Sequence, residues 1–142
     1  MMTLAGAIAP AHALRKCTNS DNMSIKSAQS WVDIAQRDVD RERPKASKAS
    51  QDANSAQMKV NARNITIIKL QTEISRSTSQ SRIGDLQRQI NSETNRLQQE
   101  QSDLQSKLKT QSSAMATLSR AETTLSQKLS ALNRQKSYCS QF

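Results

Sequence analysis

A heptad pattern in the first half of the chain limits the folds open to it. Alternating steps of three and four residues from Ile25 to Ile74 meet fifteen positions, of which thirteen are apolar. At 35% hydrophobic residues, about five would be apolar by chance. Apolar residues at this spacing form one stripe on a helix, and two stripes bury each other in a coiled coil. The positions are Ile25, Ala28, Val32, Ala35, Val39, Glu42, Ala46, Ala49, Ala53, Ala56, Val60, Arg63, Ile67, Leu70 and Ile74.

A second helical pattern occupies the other half of the chain. It begins at Ile83, and from Leu108 to Cys139 the alternation of three and four residues is unbroken. Between Leu104 and Leu108 the spacing shifts by four residues, which predicts a stutter that locally unwinds a coiled coil. The positions are Ile83, Leu86, Ile90, Leu97, Leu104, Leu108, Gln111, Met115, Leu118, Glu122, Leu125, Leu129, Leu132, Lys136 and Cys139.

A polar run separates the two patterns. Residues 75–81 contain no apolar side chain, and Gly84 follows shortly. Such composition is typical of a turn, so we expect one at residues 75–82, the alternative being a single helix that continues through the run. The domain organisation expected is a weakly structured segment 1–13, a first coiled-coil helix 14–74, the turn, and a second coiled-coil helix 83–142.

The turn would fold the second helix back along the first. Seam residues such as Val32 and Leu125 then meet, and opposite charges meet at seam positions where an unpaired charge is costly. The sequence therefore predicts an all-α fold, a long antiparallel coiled-coil helical hairpin, with charged pairs that set its register. The two pairs are Asp21 with Lys136, and Arg63 with Glu93.

Two features weaken the first helix. Pro44 lacks a backbone N–H and crowds the preceding turn, so we expect a kink or short break within Asp40 to Pro44. Four small seam residues follow, and they bury little area. Because a two-helix hairpin buries a single stripe, we expect it to dock on other helices, from its own copies or another chain. The small residues, one candidate docking surface, are Ala46, Ala49, Ala53 and Ala56.

Aromatic residues mark a second candidate contact. Trp31 precedes the seam residue Val32, and Tyr138 and Phe142 lie at the other end of the sequence, which the hairpin brings to the same place. These side chains either cover the seam or anchor a partner, since exposed aromatic residues often dominate interfaces.

The two cysteines, Cys17 and Cys139, also meet at the open end of such a hairpin. An oxidising compartment permits a disulfide there, whereas intracellular thiols stay reduced. Ala11-His12-Ala13 has the form of a signal-peptidase site, but no Lys or Arg precedes the apolar run and Pro10 interrupts it. No stretch approaches the roughly 18 apolar residues that span a bilayer. We expect an intracellular, cytoplasmic or cytoskeletal protein with free thiols.

The sequence contains few residues in arrangements typical of catalytic, metal-binding or nucleotide-binding sites. His12 is the sole histidine, and the cysteines lack the spacing of a zinc site. The only glycines are Gly6 and Gly84, so no phosphate-binding glycine loop is present. We therefore expect no catalytic, cofactor-binding or metal-binding residues, no small-molecule substrate and no enzymatic activity.

The net charge of +9 is spread along the chain. Residues 1–78 carry 12 basic and 7 acidic side chains, and residues 79–142 carry 9 and 5. No aromatic residue is interleaved with the densest basic run for base stacking. An acidic surface such as tubulin, an anionic membrane or a nucleic-acid backbone would be attracted by charge alone. Nucleic acid is the less expected of these partners.

One short run has a counterpart in a known family. Residues 35–44, which read AQRDVDRERP, are similar to the Ala-Gln and Arg-Pro elements of tektins, the coiled-coil filament proteins of ciliary microtubules. The likeness covers about a tenth of the chain, the spacing between the two elements differs, and the rest of the tektin signature is missing. It implies a cytoskeletal setting.

Three functional hypotheses follow from these patterns. The first is a non-enzymatic structural subunit, a rod-like scaffold in a cytoskeletal filament, a microtubule-associated lattice or a stalk. The second is a hairpin adaptor or chaperone that binds a partner helix in a secretion or trafficking machine through the alanine stretch. The third is a binder of nucleic acid or anionic membranes that acts by charge.

Overall fold

Two long helices make up the computed structural model, which describes residues 15–139. Helix α1 spans Asn19–Arg76 and helix α2 spans Gln80–Ser137, each with 58 residues. They pack against each other and are joined by residues 77–79, so the fold is the predicted all-α helical hairpin. The segment 1–13 and Phe142, for which predictions were made, lie outside the described residues.

A capping box starts α1 at Asn19. The Asp21 carboxylate accepts a hydrogen bond from the Thr18 backbone N–H at 2.8 Å, and the Thr18 hydroxyl accepts one from the Asp21 N–H at 3.2 Å. Reciprocal bonds of this kind satisfy amides that have no partner inside the helix. The first helix therefore begins later than the predicted residue 14.

The turn is tighter than the sequence suggests. Only residues 77–79 leave the helical conformation, because the Ser77 N–H still bonds to the Ile74 carbonyl and Ser79 caps α2 through its hydroxyl and the Arg82 N–H. Arg82 also donates to Glu73 at 2.9 Å, which ties the two helix ends together. Gly84, expected to mark the turn, lies inside α2 without a positive φ.

The seam of α1 agrees with the heptad prediction at every position. All fifteen residues from Ile25 to Ile74 are buried or half-buried. Both polar members, Glu42 and Arg63, are half-buried with the rest. The stripe that the sequence predicts is therefore the face that α1 packs against α2.

The seam of α2 differs from the prediction. Buried and half-buried residues follow one unbroken alternation of three and four, so the stutter between Leu104 and Leu108 is wrong. The heptads of α1 have no stutter, so α2 stays in register with α1 only if its own heptads also continue unbroken. Keeping this register outweighs the burial of Leu108 and Leu129, which lie one position after the seam residues Lys107 and Lys128. The positions are Ile83, Leu86, Ile90, Glu93, Leu97, Glu100, Leu104, Lys107, Gln111, Ala114, Leu118, Ala121, Leu125, Lys128, Leu132, Gln135 and Cys139.

Five of the ten seam positions predicted from Leu108 to Cys139 are consequently exposed. These residues are spaced seven apart and were expected to pack against α1, but they face solvent. The residues one position earlier in the sequence pack against α1 in their place. The exposed residues are Leu108, Met115, Glu122, Leu129 and Lys136. The residues that replace them are Lys107, Ala114, Ala121, Lys128 and Gln135.

Pro44 does not interrupt α1, so a short break within Asp40 to Pro44 does not occur, and the alternative, a kink, stays a prediction. Val39 and Ala46, the nearest buried seam residues before and after it, are 0% and 5% exposed, and their packing holds the backbone helical. Pro44 itself is exposed, where water can solvate the carbonyl that loses its amide partner. The chain divides at this proline into two compact units, residues 1–43 with 117–142 and residues 44–116.

Each unit has its own buried residues. In the first, Ile25, Val32, Leu132 and Cys139 form one cluster, against which Cys17, Ala28 and Leu125 pack. In the second, the buried apolar residues are Ala46, Ala49, Ala53, Ala56, Val60 and Leu86. Four of these six are alanines, which remove less apolar area from water than leucines would.

Candidate interaction surfaces

A disulfide joins the two helices at the open end of the hairpin. Cys17 and Cys139 are bonded, with their Cα atoms 5.0 Å apart and a sequence separation of 122 residues. The expectation of two free thiols is therefore wrong. Cys139 is 2% exposed and belongs to the cluster of Ile25, Val32 and Leu132, so the bond is part of the core.

Asp21 is engaged at the same end, but not by Lys136. The Asp21 carboxylate accepts hydrogen bonds from the Arg15 guanidinium, one of them at 2.9 Å, in addition to its capping bonds with Thr18. The Arg15 hydrogen bond, helped by the Thr18 backbone N–H, lowers the pKa of Asp21 well below its usual range. The predicted pair of Asp21 with Lys136 is wrong because a local partner and the helix cap take the carboxylate.

A cluster of three charges, Arg63, Glu93 and Glu100, lies at the seam of the second unit. Arg63 of α1 donates to both glutamates of α2, reaching Glu100 at 2.7 and 2.9 Å, and all three are half-buried. These bonds, from Glu100 first and Glu93 second, raise the pKa of Arg63. The predicted pair of Arg63 with Glu93 is confirmed.

Glu100 was missed by the sequence analysis. The spacing could have indicated it, since residue 100 lies three residues after Leu97 and four before Leu104, at a seam position of an unbroken heptad. It was not predicted because a glutamate does not belong to an apolar pattern. Glu100 Oε2 is buried without a hydrogen-bond partner among the described residues. Leaving a buried carboxylate oxygen unpaired is costly, so Arg63 has to hold this side chain through Oε1 alone.

Other seam contacts also cross between the helices. Gln111, a polar seam residue in the prediction, donates to the Ser50 hydroxyl at 3.1 Å. In the first unit the Lys128 ammonium lies 5.3 Å from the centre of the Trp31 ring, within cation–π range. Trp31 is 54% exposed, so about half of its surface faces solvent.

The predicted partner-binding residues separate into two groups. Trp31 and Tyr138 are exposed, at 54% and 57%. The four alanines are 3–6% exposed, so a partner helix would reach them only by parting α1 from α2. The alanine stretch is therefore no outer docking surface, which corrects the expectation drawn from Ala46, Ala49, Ala53 and Ala56.

Large apolar side chains lie on the outer faces, some of them outside both predicted seams and others placed in the seam by the sequence analysis. On α1 of the second unit, Met58, Ile65 and Ile68 are 70%, 53% and 59% exposed. On α2 of the same unit, Leu108 and Met115 are 46% and 53% exposed. The heptads could have revealed the α1 group, since apolar residues away from the seam have no role inside a two-helix pair.

Neither helix has a segment apolar enough to cross a lipid bilayer. Within residues 15–139, no three His, Cys, Asp or Glu side chains are grouped as metal ligands. His12 lies outside the described residues.

Comparison of the chain with models of known families, with curated proteins and with solved structures returned no match. The tektin resemblance of residues 35–44 is thus not accompanied by a family match. Function has to be argued from the hairpin and its outer surfaces.

Proposed function

We propose that this chain is a non-enzymatic structural subunit of a larger helical assembly, in which the closed hairpin is a scaffold for other helices. The observation that carries the proposal is the apolar surface of α1 formed by Met58, Ile65 and Ile68. Each of these side chains is more than half exposed, although the seam of the same segment is already occupied.

The spacing of this surface supports docking on a helix. Ile65 follows Met58 by seven residues and Ile68 follows Ile65 by three, so the three side chains lie along one outer face of α1. Single exposed apolar residues are ordinary on soluble proteins. Repetition at heptad spacing is typical of a second stripe that another helix covers.

Two cross-links support the scaffold role by fixing the helices relative to each other. The disulfide of Cys17 and Cys139 ties one unit, and the three charges around Arg63 fix the register of the other. A one-residue slip of α2 would separate Arg63 from Glu93 and Glu100. Outer side chains on such a hairpin keep constant spacing, as a template for neighbours requires.

The disulfide also supports an oxidising compartment as the setting of this assembly, because cytosolic thiols are kept reduced. This proposal departs from the cytoplasmic setting predicted from sequence. A stalk or filament outside the cytosol fits it better than a microtubule lattice. Mass spectrometry of protein that is alkylated in cells before lysis tests it, and alkylation of Cys17 or Cys139 would contradict it.

Sedimentation velocity tests the docking surface. The double variant Ile65→Glu/Ile68→Glu places two charges on the apolar face, whereas Asn64→Glu/Gln71→Glu places the same charges at exposed polar positions of α1. We expect the first variant to lose association with neighbouring helices and the control to keep it, with the same helical content by circular dichroism.

The neighbours are identified by cross-linking the wild-type chain in its native source, followed by mass spectrometry. Links from Lys59 or Lys69, which flank the surface in sequence, to a helical segment of any chain would support the proposal. A wild-type chain that has no cross-linked neighbour and sediments as a monomer at every concentration would contradict it.

A further inference from the structure

Part of the exposed row of α2 that was predicted to lie in the seam belongs to the first unit. Its charges are arranged so that the row can pair with a second copy of itself. Glu122, Leu129 and Lys136 are spaced seven residues apart and are all exposed, with Leu129 at 42%. Positions seven apart share one helix face and are separated by about 10 Å along the axis. We call these three residues the outer row.

Neither charge of the outer row is used within the hairpin. No ion pair or hydrogen bond of Glu122 or Lys136 occurs in the described residues 15–139. They are 14 residues apart, about 21 Å along one helix, so they cannot reach each other. Among residues 15–139 neither charge therefore has a partner, and a second copy of the chain would supply one for each.

We propose that two copies of the hairpin associate through their outer rows, with their α2 helices antiparallel and a two-fold axis at Leu129. This arrangement sets Leu129 against Leu129 of the second copy. It also brings Glu122 opposite Lys136 of the second copy, and the two-fold axis repeats the pair on the other side. This inference rests on the proposed scaffold function and names one of its partners.

The charge pattern favours the antiparallel arrangement over the parallel one. In a parallel, in-register pair of α2 helices, Glu122 would face Glu122 and Lys136 would face Lys136. Like charges opposite each other disfavour that pairing, and opposite charges at equal distances from Leu129 favour the antiparallel one. The order acid, leucine, base thus specifies the direction as well as the partner.

Leu129 lies beside a second row of leucines, which packs inside the hairpin. Leu125, half-buried, lies four residues before Leu129, so the two side chains are adjacent on the surface of α2. Leu118, Leu125 and Leu132 form the neighbouring seam row. With the outer row they complete the alternation of three and four that predicted a coiled coil from sequence. One row serves the hairpin, and the other remains for a second copy.

Charge reversal and its rescue test the inference by sedimentation equilibrium of the disulfide-closed chain. We expect Glu122→Lys and Lys136→Glu each to weaken the dimer at least about tenfold, since each reversal makes two like-charge contacts. The double variant Glu122→Lys/Lys136→Glu should restore the wild-type Kd. Arg37→Glu, an exposed α1 residue, makes the same change in net charge as Lys136→Glu and should leave the Kd unchanged.

A zero-length carbodiimide cross-link provides a direct readout. With mixed ¹⁴N and ¹⁵N chains, a link between Glu122 and Lys136 should join two different chains, because one helix holds them too far apart. A monomeric wild type, or a double variant no tighter than the single ones, would overturn the pairing. The Ile65→Glu/Ile68→Glu variant separates failure of this inference from failure of the scaffold function. If only this inference fails, that variant should still lose its association with other helices.

Discussion

Arg63 of α1 donates from Nε and Nη2 to a single oxygen of Glu100 of α2, at 2.9 and 2.7 Å, while its Nη1 bonds to Glu93. One guanidinium thereby joins two carboxylates that are seven residues apart on the facing helix. These are charge-assisted bonds at half-buried positions, where solvent screens them less than at the surface.

Removing this guanidinium should destabilise the hairpin more than removing an exposed one. Arg63→Ala leaves the half-buried Glu100 without its cation and Glu93 with only Arg96 of its own helix, 3.7 Å away, so we expect the Tm to fall by several degrees. Arg88→Ala, which removes an exposed ion pair with Asp85, should change the Tm by much less. Thermal unfolding followed by circular dichroism compares the two, and equal shifts would show that Arg63 acts as a surface residue.

Opening the disulfide should cost much of the stability. A cross-link between Cys17 and Cys139 restricts nearly the whole unfolded chain, which the loop-entropy relation converts to about 4 to 5 kcal/mol. We expect Cys17→Ser/Cys139→Ser to lower the Tm by at least about 10 °C. Reductant should lower the Tm of the wild type and leave that of the variant unchanged; a wild type indifferent to reductant would refute the bond.

Two leucines three residues apart distinguish the seam of the structure from the seam of the sequence prediction. Leu132 is 4% exposed and Leu129 is 42% exposed. Leu132→Ala should therefore reduce the free energy of unfolding by about 2 to 3 kcal/mol, and Leu129→Ala by less than about 1 kcal/mol. Urea unfolding at low protein concentration measures both, and equal losses would restore Leu129 to the seam.

Acid should weaken the start of α1 through Asp21. Its pKa is lowered in the folded chain, so it contributes stability above the unfolded value of about 3.9 and loses that contribution as the pH falls toward the folded pKa. We expect wild type to be more stable than Asp21→Asn at pH 7 and 5, with the difference shrinking below about pH 4. Urea unfolding at several pH values measures this difference; a constant gap down to pH 2 would contradict the role of the carboxylate.

The aromatic contact of the first unit offers a smaller effect. Lys128→Met keeps an apolar stem but removes the charge beside Trp31, so we expect a loss of about 0.5 to 1 kcal/mol in the free energy of unfolding. Trp31 is the only tryptophan, so its fluorescence reports this site directly. An unchanged emission spectrum in Lys128→Met would show that the ammonium does not approach the ring in solution.

The fold could be predicted because the seam positions of α1 are apolar, with Glu42 and Arg63 as the only exceptions. The register of α2 could not, because one of its two seam rows contains Glu93, Glu100, Lys107, Lys128 and Gln135. Long polar side chains can lay their aliphatic stems against a neighbouring helix while their ends reach water. Whether such a residue or the adjacent leucine occupies the seam therefore depends on how α2 aligns with α1, which the sequence of α2 alone does not specify.

The candidate surfaces were predicted less completely for related reasons. Asp21 was assigned to Lys136 from seam geometry, but hydrogen bonds within its own turn compete first and require no alignment of two helices. The disulfide depended on a redox setting that residue spacing does not encode. The exposed Ile65 and Ile68 were not predicted because they lie outside the stripe that the heptads of α1 define.

The covalent bond between Cys17 and Cys139 has a mechanical consequence. Tension applied through the chain just before Cys17 and just after Cys139 passes directly across the sulfur atoms, and the 121 residues between them carry none of it. An oxidised hairpin should therefore withstand stretching from both ends without unzipping. Reduction would transfer the same load to the two helices, which would then peel apart from the open end.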